Sequence, residues 1–452
     1  MNRCTSICYG FSCNLAIIFR ILFYNFILRL KLFDFHIFTK FALVILLVSC
    51  TDRERSNPLD PKNLVTLGRP TGLNVISIQD TVFLNWDILK LNDLAGYQIY
   101  RRTGVDTGFV SHAFVSAPSN TFREFGLAFD VEYEYQISAG GDTFESLRSE
   151  VVKIIPGPTF TWVTEKRSQQ VIKLTHDSRH LILRTERFST IIDIEPNPIT
   201  GELWVLDIFA GIESNLKKIT PNGKIDDHFI PFDRPTDVSL DYNSNTIWVA
   251  DPPQSTVTKL DSIGNILFTV HTFATPILVT TDQRNGNCWV ADSQTNTASR
   301  ILSDGTEVMK SGVQFDSIVS MEVNSVNGSV WLVGATKVVK IDENGDFLLE
   351  INSPLTSPKK LAINENSGDV WIINESPANL YKFSSSGEML LDVAGPFTPA
   401  DISVNKFDNN LLVSDVFGHT VYRLSSDGEI LSFFKDLTFP DLIGVQNQGR
   451  TN

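Results

Sequence analysis

The side chains best able to hold a metal ion or move a proton near neutral pH are imidazoles. The C-terminal part of the chain contains five of them: His176, His180, His228, His271 and His419. His176 and His180 flank a predicted hairpin bend, so they lack the helical placement that would point two imidazoles at one ion. The others are scattered along the chain. We therefore expect surface histidines and no histidine metal site.

Other patterns of catalytic or ligand-binding residues are weak or absent. Trp162–Glu165 is similar to the repeated strand of antibiotic-opening lyases, but only one copy ends in Glu. Asp342–Asp346 imitates part of a calcium loop, yet it lacks the distal acid and falls where a hairpin turn recurs. Neither a nucleotide-binding loop nor a Gly-x-Ser-x-Gly elbow occurs. The sequence therefore predicts no catalytic residue, no metal site and no cofactor.

The cysteines are distributed unevenly. Cys4, Cys8, Cys13 and Cys50 lie in the first 50 residues, and Cys288 stands alone in an apolar segment beside Trp289. A lone thiol cannot form an intradomain disulfide, so we expect Cys288 to be buried and unreactive.

The N-terminal region has the layout of an export signal. Lys40 is followed by eight apolar residues and then by Ser49, and polar sequence begins after Cys50. Leu47–Cys50 resembles the lipobox of bacterial lipoproteins. The resemblance implies cleavage after Ser49 and lipid attachment to the Cys50 thiol, hence a lipid-anchored protein of the cell envelope, at the outer membrane or cell surface.

Two alternatives to this interpretation remain. An uncleaved membrane helix is one, although eight apolar residues fall short of the roughly 20 that a span needs. The other alternative concerns the first residues of the given sequence. The region before Lys40 is long for a signal peptide, which would be explained if the assigned start codon lay too far upstream or if an additional segment contacted the membrane. Residues 50–66, with Pro58 and Pro61, are predicted to be a lipidated tether.

The charge of the chain excludes one class of partner. The formal net charge is −14, and the part after residue 49 is more acidic still, because the first 49 residues hold five basic residues and one acid. Such a surface repels phosphate backbones, so nucleic acid is not expected as a partner.

Residues 67–156 break into short alternating segments separated by turn residues, as in a β-sandwich. This region resembles fibronectin type III domains at Trp86, at Gly96–Tyr100 and at Leu127, which precedes Tyr133 by six residues. The resemblance implies a tyrosine corner, in which the Tyr133 hydroxyl bonds nearby backbone. A spacer that holds the next domain away from the membrane is the expected role, with a ligand-binding module as the alternative.

Residues 157–447 repeat. Seven aligned segments recur at intervals of 42, 44, 41, 42, 40 and 41 residues: Phe160–Glu165, Glu202–Asp207, Thr246–Asp251, Asn287–Asp292, Ser329–Gly334, Asp369–Asn374 and Asn410–Asp415. Turn glycines keep the same period, from Gly223 to Gly428. Asn-Gly and Asp-Gly pairs such as Asp304–Gly305 predict two-residue turns with both residues at positive φ. Each repeat is thus expected to be a four-stranded antiparallel meander.

The repeats resemble NHL-type β-propeller blades. They lack the recurring Gly-His and Trp-Asp pairs that are typical of the WD-repeat family. The first Trp segment has no strand before it to pair with, and Phe439–Val445 has no Trp segment after it. Pairing these two would close a ring of seven blades, with six or eight as alternatives. The fold class predicted is all-β, a sandwich followed by a propeller, with 448–452 as a tail.

The repeated aromatic and acidic residues are assigned structural roles. The Trp side chains are expected to pack between neighbouring blades, because they recur on equivalent buried strands. Asp207, Asp251, Asp292 and Asp415 end those strands, and we expect them to hydrogen-bond turns and not to hold a metal.

Three functions are compatible with this sequence. The preferred one is a binding or scaffold protein, expected to be monomeric, that holds a protein or glycan partner of unknown identity. The second is a metal-assisted lyase or lactonase, which requires acids to converge in the channel, with Asp193, Asp237, Glu322 and Asp401 as candidates. The third is a structural spacer of the envelope.

Overall fold

The structure, a computed structural model, describes residues 57–91, 93–104, 106–141, 144–209, 214–226, 232–306 and 308–447. The export segment 1–49, Cys50, His228 and the tail 448–452 lie outside these residues. The chain divides into two compact units, residues 1–68 and 69–452. In the first unit, residues 57–68 form turns in which Asn57 and Asn63 side-chain oxygens accept backbone N–H groups two residues further on.

The regular secondary structure of the described residues is β-strand, apart from a single turn of 3-10 helix at Pro252–Gln254. Two antiparallel sheets come first. Their strands are β1 (Asn74–Ile78), β2 (Thr81–Asn85), β3 (Gly96–Thr103), β4 (Val110–Ser116), β5 (Thr121–Glu124), β6 (Tyr133–Gly140) and β7 (Val152–Ile154). The sheet orders are β1-β2-β5 and β4-β3-β6-β7.

The alternating pattern explains the core of these two sheets. Trp86 and Tyr97 are buried and their rings meet edge to face at 5.1 Å. Tyr135 and Ile137 on β6 are fully buried. The Tyr133 hydroxyl accepts a hydrogen bond from the Ala128 backbone N–H at 3.1 Å, the contact that a tyrosine corner requires.

Seven four-stranded antiparallel sheets follow. The strands within residues 159–310 are β8 (Thr159–Glu165), β9 (Gln170–Leu174), β10 (Leu181–Arg184), β11 (Ile191–Pro196), β12 (Leu203–Ile208), β13 (Ser214–Ile219), β14 (Ile225–Asp226), β15 (Asp237–Asp241), β16 (Thr246–Asp251), β17 (Thr256–Leu260), β18 (Ile266–Val270), β19 (Pro276–Asp282), β20 (Asn287–Asp292), β21 (Thr297–Ile301) and β22 (Val308–Lys310).

The remaining strands are β23 (Ser320–Val323), β24 (Val330–Val333), β25 (Val338–Ile341), β26 (Phe347–Ile351), β27 (Pro358–Ile363), β28 (Val370–Asn374), β29 (Asn379–Phe383), β30 (Met389–Val393), β31 (Pro399–Val404), β32 (Leu411–Asp415), β33 (Thr420–Leu424), β34 (Ile430–Phe434) and β35 (Pro440–Asn447). Six sheets take their strands in chain order, from β11-β12-β13-β14 to β31-β32-β33-β34.

The remaining sheet joins the two ends of the repeat region. Its order is β10-β9-β8-β35, and Gly444 of β35 lies opposite Trp162 of β8. The expected pairing between the last strand and the first Trp segment is therefore present. The Trp162 indole N–H also donates to the Gln446 side chain at 3.0 Å.

The Trp residues pack between sheets, as predicted. Trp331 of β24, for example, lies in one cluster with Leu361 of β27 and Val370 and Ile372 of β28, which belong to the next sheet. Each of the seven sheets has one end strand that contacts the corresponding end strand of the next sheet, and we call these the innermost strands. They contact each other in the order β11, β15, β19, β23, β27, β31, β35, and β35 also contacts β11. The contacts thus return to the strand where they began.

The turns differ from the prediction of two residues at positive φ. At Asn344–Gly345 the φ of the glycine alone is positive, at 80°. The Gly345 N–H bonds the Asp342 carbonyl, and the β25–β26 register shifts beside the turn. This is a turn closed by a left-handed glycine bulge, in which the extra residue relieves the need for a second positive φ.

Candidate functional site

A polar cavity of about 490 Å³ is lined by the innermost strands of all seven sheets. The four acids named from the sequence, Asp193, Asp237, Glu322 and Asp401, all line it. Sequence reasoning could not show that they converge, and it missed four other charged residues of the wall: Glu195, Glu365, Lys360 and Lys406. A signal for Glu195 was available, because it follows Asp193 by two residues on one strand and so shares its face.

Strand register sorts these side chains into two tiers. In six sheets, one residue of the innermost strand lies opposite the residue two positions after the Trp, or after Leu412, of the next strand. These six residues are Asp193, Asp237, Leu278, Ser320, Lys360 and Asp401. We call these six the aspartate tier. Glu195 and Glu322 pair directly with Trp204 and Trp331 and form the glutamate tier.

The carboxyl groups hold neighbouring sheets together. Asp193 accepts a hydrogen bond from the backbone N–H of Val238 at 3.0 Å, and Asp237 accepts one from Val279 at 2.6 Å. The innermost strand of each sheet leaves one row of backbone groups without a partner in its own sheet, and these bonds satisfy part of that row.

The same bond recurs further along the wall. Glu322 accepts the N–H of Ile363 and Asp401 that of Ile443, both at 3.0 Å. One oxygen of each of the four acids is thereby fixed. A carboxyl group has two oxygens, so Glu322 and Asp401 each also offer a second one whose direction is set by the first. Asp193 and Asp237 are hydrogen-bonded to each other through their side chains.

Burial raises the pKa of most of these acids. It raises the pKa of Glu195 to about 8, with the neighbouring Asp193 adding to the effect. It raises the pKa of Glu322 to about 8, helped by Glu365. The pKa values of Asp193 and Asp237 are raised by burial, and for Asp237 the charge of Asp193 adds to the rise. Glu195 and Glu322 therefore keep protons near neutral pH that exposed acids would lose.

The two cavity lysines have different surroundings. Lys406 forms an ion pair with Glu365 at 2.8 Å. Lys360 makes no hydrogen bond and no ion pair within 4.0 Å in the part of the chain that the structure describes. The charge of Asp401 raises the pKa of Lys360, followed by contributions from Asp193 and Asp237.

The other predicted residues lie away from the cavity. His180 and His271 are exposed, as expected, whereas His176 is half-buried and contacts Thr159 at 2.8 Å. His419 is also half-buried, and its ring contacts the Leu437 carbonyl at 2.9 Å. The surface prediction is therefore wrong for these two, because each packs where β8 or β35 meets its neighbours.

Cys288 is fully buried, as predicted, and burial raises the pKa of its thiol. The strand-end acids bind backbone: Asp207 accepts the N–H groups of Ser189 and Thr190, and Asp251 those of Asp233 and Arg234. Among the described residues no three His, Cys, Asp or Glu side chains are grouped to hold a metal ion.

Comparison with known proteins gives a likeness of fold and no family. No family model matches the chain, and no curated protein does. A crystal structure of a functionally unknown protein from Desulfotomaculum acetoxidans matches with a TM-score of 0.53 and 12% identity, covering 64% of this chain and 99% of that one. A chain of the nidogen/laminin complex matches with a TM-score of 0.43 and 13% identity, covering 64% and 100%. Within the described residues, no helix is long and apolar enough to cross a bilayer.

Proposed function

We propose that this chain is a lipid-anchored extracytoplasmic binding protein, in which a fibronectin type III-like sandwich precedes a seven-bladed propeller of NHL type. The order of contacts among the innermost strands, which returns to its start through β35, supports the ring. Two antiparallel sheets, the Trp86–Tyr97 ring contact and the Tyr133 contact support the sandwich. The Leu47–Cys50 lipobox supports the anchor.

One observation carries the binding role: the cavity wall of carboxyl groups, each fixed through one oxygen by a backbone N–H of the next sheet. Such groups are oriented before a ligand arrives, which lowers the entropic cost of binding. A protein or glycan partner that enters the mouth would meet carboxyl groups already in place.

The two other functions fit the cavity less well. The role of a spacer does not require eight Asp, Glu and Lys side chains around one cavity. A lyase or lactonase predicts converging acids, and these are present, but four of them use an oxygen to join sheets, which suits a rigid binding wall better than a reactive group.

Two experiments test this proposal. The Cys50→Ser variant is expected to move from the membrane fraction to the soluble fraction and to lose incorporation of labelled fatty acid. The released protein is then used to capture partners from envelope extract and on a glycan array. We expect the double variant Glu195→Gln, Glu322→Gln to lose captured partners that the wild type retains. Glu388→Gln on an exposed turn is the matched control. Equal capture by all three would refute the cavity as the binding site.

A further inference from the structure

Lys360 does not fit the structural role of its tier. At the equivalent place on three other sheets, an aspartate accepts a backbone N–H from the next sheet. An ammonium group is a donor only, so Lys360 cannot make this bond. It makes no other hydrogen bond in the described chain. The joining of sheets therefore does not explain why a lysine lies here.

Lys360 also lies across the cavity from the aspartate pair. It is on β27, whereas Asp193 and Asp237 are on the adjacent strands β11 and β15. In the order of inner-strand contacts, β27 is three steps from β11 through β31 and β35, and three steps from β15 through β23 and β19. Because all three residues belong to the aspartate tier, they share one level of the cavity. That level has an ammonium group on one wall, with the Asp401 carboxyl group on the adjacent strand, and the hydrogen-bonded carboxyl groups of Asp193 and Asp237 on the opposite wall.

We propose that this level of the cavity binds a small zwitterion, a free amino acid or a short peptide, with its carboxylate at Lys360 and its ammonium at Asp193 and Asp237. This rests on the proposed binding role and names the chemistry of one ligand. The volume of about 490 Å³ lies within the range of roughly 300 to 1,000 Å³ typical of small-molecule sites.

Ligands of a single charge fit less well. A simple anion would meet Lys360 but also three aspartates of the same tier. A simple cation would meet those aspartates, but it would leave the Lys360 ammonium group without a hydrogen-bond acceptor. A ligand with separated opposite charges satisfies both walls through charge-assisted hydrogen bonds, which are stronger than neutral ones.

The plain alternative is that Lys360 only balances the charge of the surrounding aspartates. The two roles predict different results. A counter-charge alone predicts that replacing Lys360 alters stability and gives no preference for a ligand carboxylate. A zwitterion site predicts a preference that depends on Lys360 and is separable from stability.

The test is isothermal titration calorimetry on the detergent-solubilised full chain with the standard L-amino acids and diglycine. The strongest binder is then compared with its methyl ester, which lacks the carboxylate, and its N-acetyl form, which lacks the ammonium. We expect each modified ligand to bind about tenfold or more weakly, the loss typical of one charged hydrogen bond left unmade.

Variants assign each end of the ligand. We expect the Lys360→Met variant to bind the unmodified amino acid and its methyl ester equally. We expect the double variant Asp193→Asn, Asp237→Asn to bind the unmodified amino acid and its N-acetyl form equally. Lys359→Met is the matched control, because Lys359 pairs with Glu375 and does not line the cavity. Melting curves confirm that each variant is folded.

Three outcomes would overturn this inference: no amino acid binds, the ester binds the wild type as tightly as the acid, or Lys360→Met binds the acid unchanged. If no amino acid binds but a protein or glycan is captured in a way that depends on the cavity residues, the zwitterion proposal is wrong and the proposed function stands.

Discussion

In each of the seven sheets of the repeat region, a cation lies opposite the Trp, or opposite Leu412 in the last sheet: Lys173, Lys218, Lys259, Arg300, Lys340, Lys382 and Arg423. Lys259 and Lys340 donate to carbonyls of the next sheet's turn, those of Ser303 and Ser385, at 2.7 and 2.8 Å. These long side chains thus cover an indole with their ammonium group and tie two sheets together.

Lys173 departs from this pattern at the residue scale. It is 4% exposed, and its ammonium lies 4.3 Å from the Phe160 ring centroid and 4.8 Å from that of Trp162. It makes no hydrogen bond to any residue that the structure describes. Burial lowers its pKa to about 7. The two aromatic faces attract the charge but do not replace the water that it has lost.

Replacing Lys173 should therefore stabilise the protein. In the folded state the lysine releases its proton near pH 7, whereas in the unfolded chain it does so near its ordinary pKa of 10.5. The folded state binds fewer protons between these values, so the wild type gains stability as pH rises from 7 towards 10. Lys173→Met should raise the free energy of unfolding by roughly 1 to 3 kcal/mol at pH 7, an advantage that shrinks as pH rises.

Urea unfolding at pH 7 and pH 9.5 measures this effect, with Lys224→Met on an exposed turn as the control. A Lys173→Met protein less stable than the wild type at pH 7 would show that the aromatic contacts outweigh the cost of burial.

At the scale of one element, a side chain at the end of the Trp or Leu412 strand anchors the loop that leads into its sheet in six of the seven repeated sheets. Asp292 at the end of β20 is the fullest example. One of its oxygens accepts the N–H groups of Ala274 and Thr275, and the other those of Gln294 and Thr295. The predicted turn contact is confirmed here, and a second contact with the preceding loop is added. Burial opposes the charge, but the four donors outweigh it and keep the pKa of Asp292 low.

Asp292→Ala should destabilise the protein by about 2 to 4 kcal/mol, because it leaves buried backbone donors without an acceptor. Asp292→Asn should cost less than half of that. Asn374 fills the equivalent place in another sheet and accepts the N–H groups of Thr356 and Ser357 through its one carbonyl oxygen. Equilibrium unfolding in urea compares the two variants, and equal losses would contradict the assignment.

At the scale of the whole molecule, the strand from the C-terminal end is the decisive element. β35 gives the first sheet its innermost strand, and its contacts with β31 and β11 complete the order of neighbours. Without it, β8 would present an unpaired edge, and apolar residues such as Val163 and Leu412 would lose their cover.

Ending the chain after Leu437 removes β35 and should lower the melting temperature by on the order of 10 °C or more and promote association. Ending it after Asn447 removes only the tail and should leave both properties unchanged. Circular dichroism melts and size-exclusion chromatography report the two effects. A monomer that melts like the full chain after loss of β35 would argue against the closed ring.

Much of the fold was predictable because its signals are local. Alternation and turn residues indicated β-structure, and the period of about 41 residues indicated repeated four-stranded sheets with buried Trp strands. The turn type was missed, because Asn-Gly and Asp-Gly pairs suit several hairpins and the register shift that selects among them depends on the paired strand. The period of the cations opposite the aromatics was also present in the sequence and was overlooked.

The sequence by itself determined the strands, their repetition and the unpaired strand at each end, since hydrophobic period and turn chemistry act over a few residues. Only the tertiary structure decided that Asp193, Asp237, Glu322 and Asp401 line one space and that Lys360 lies across it from the aspartate pair. Those relations join residues up to 208 positions apart. They depend on how neighbouring sheets pack, which no local pattern in the chain records.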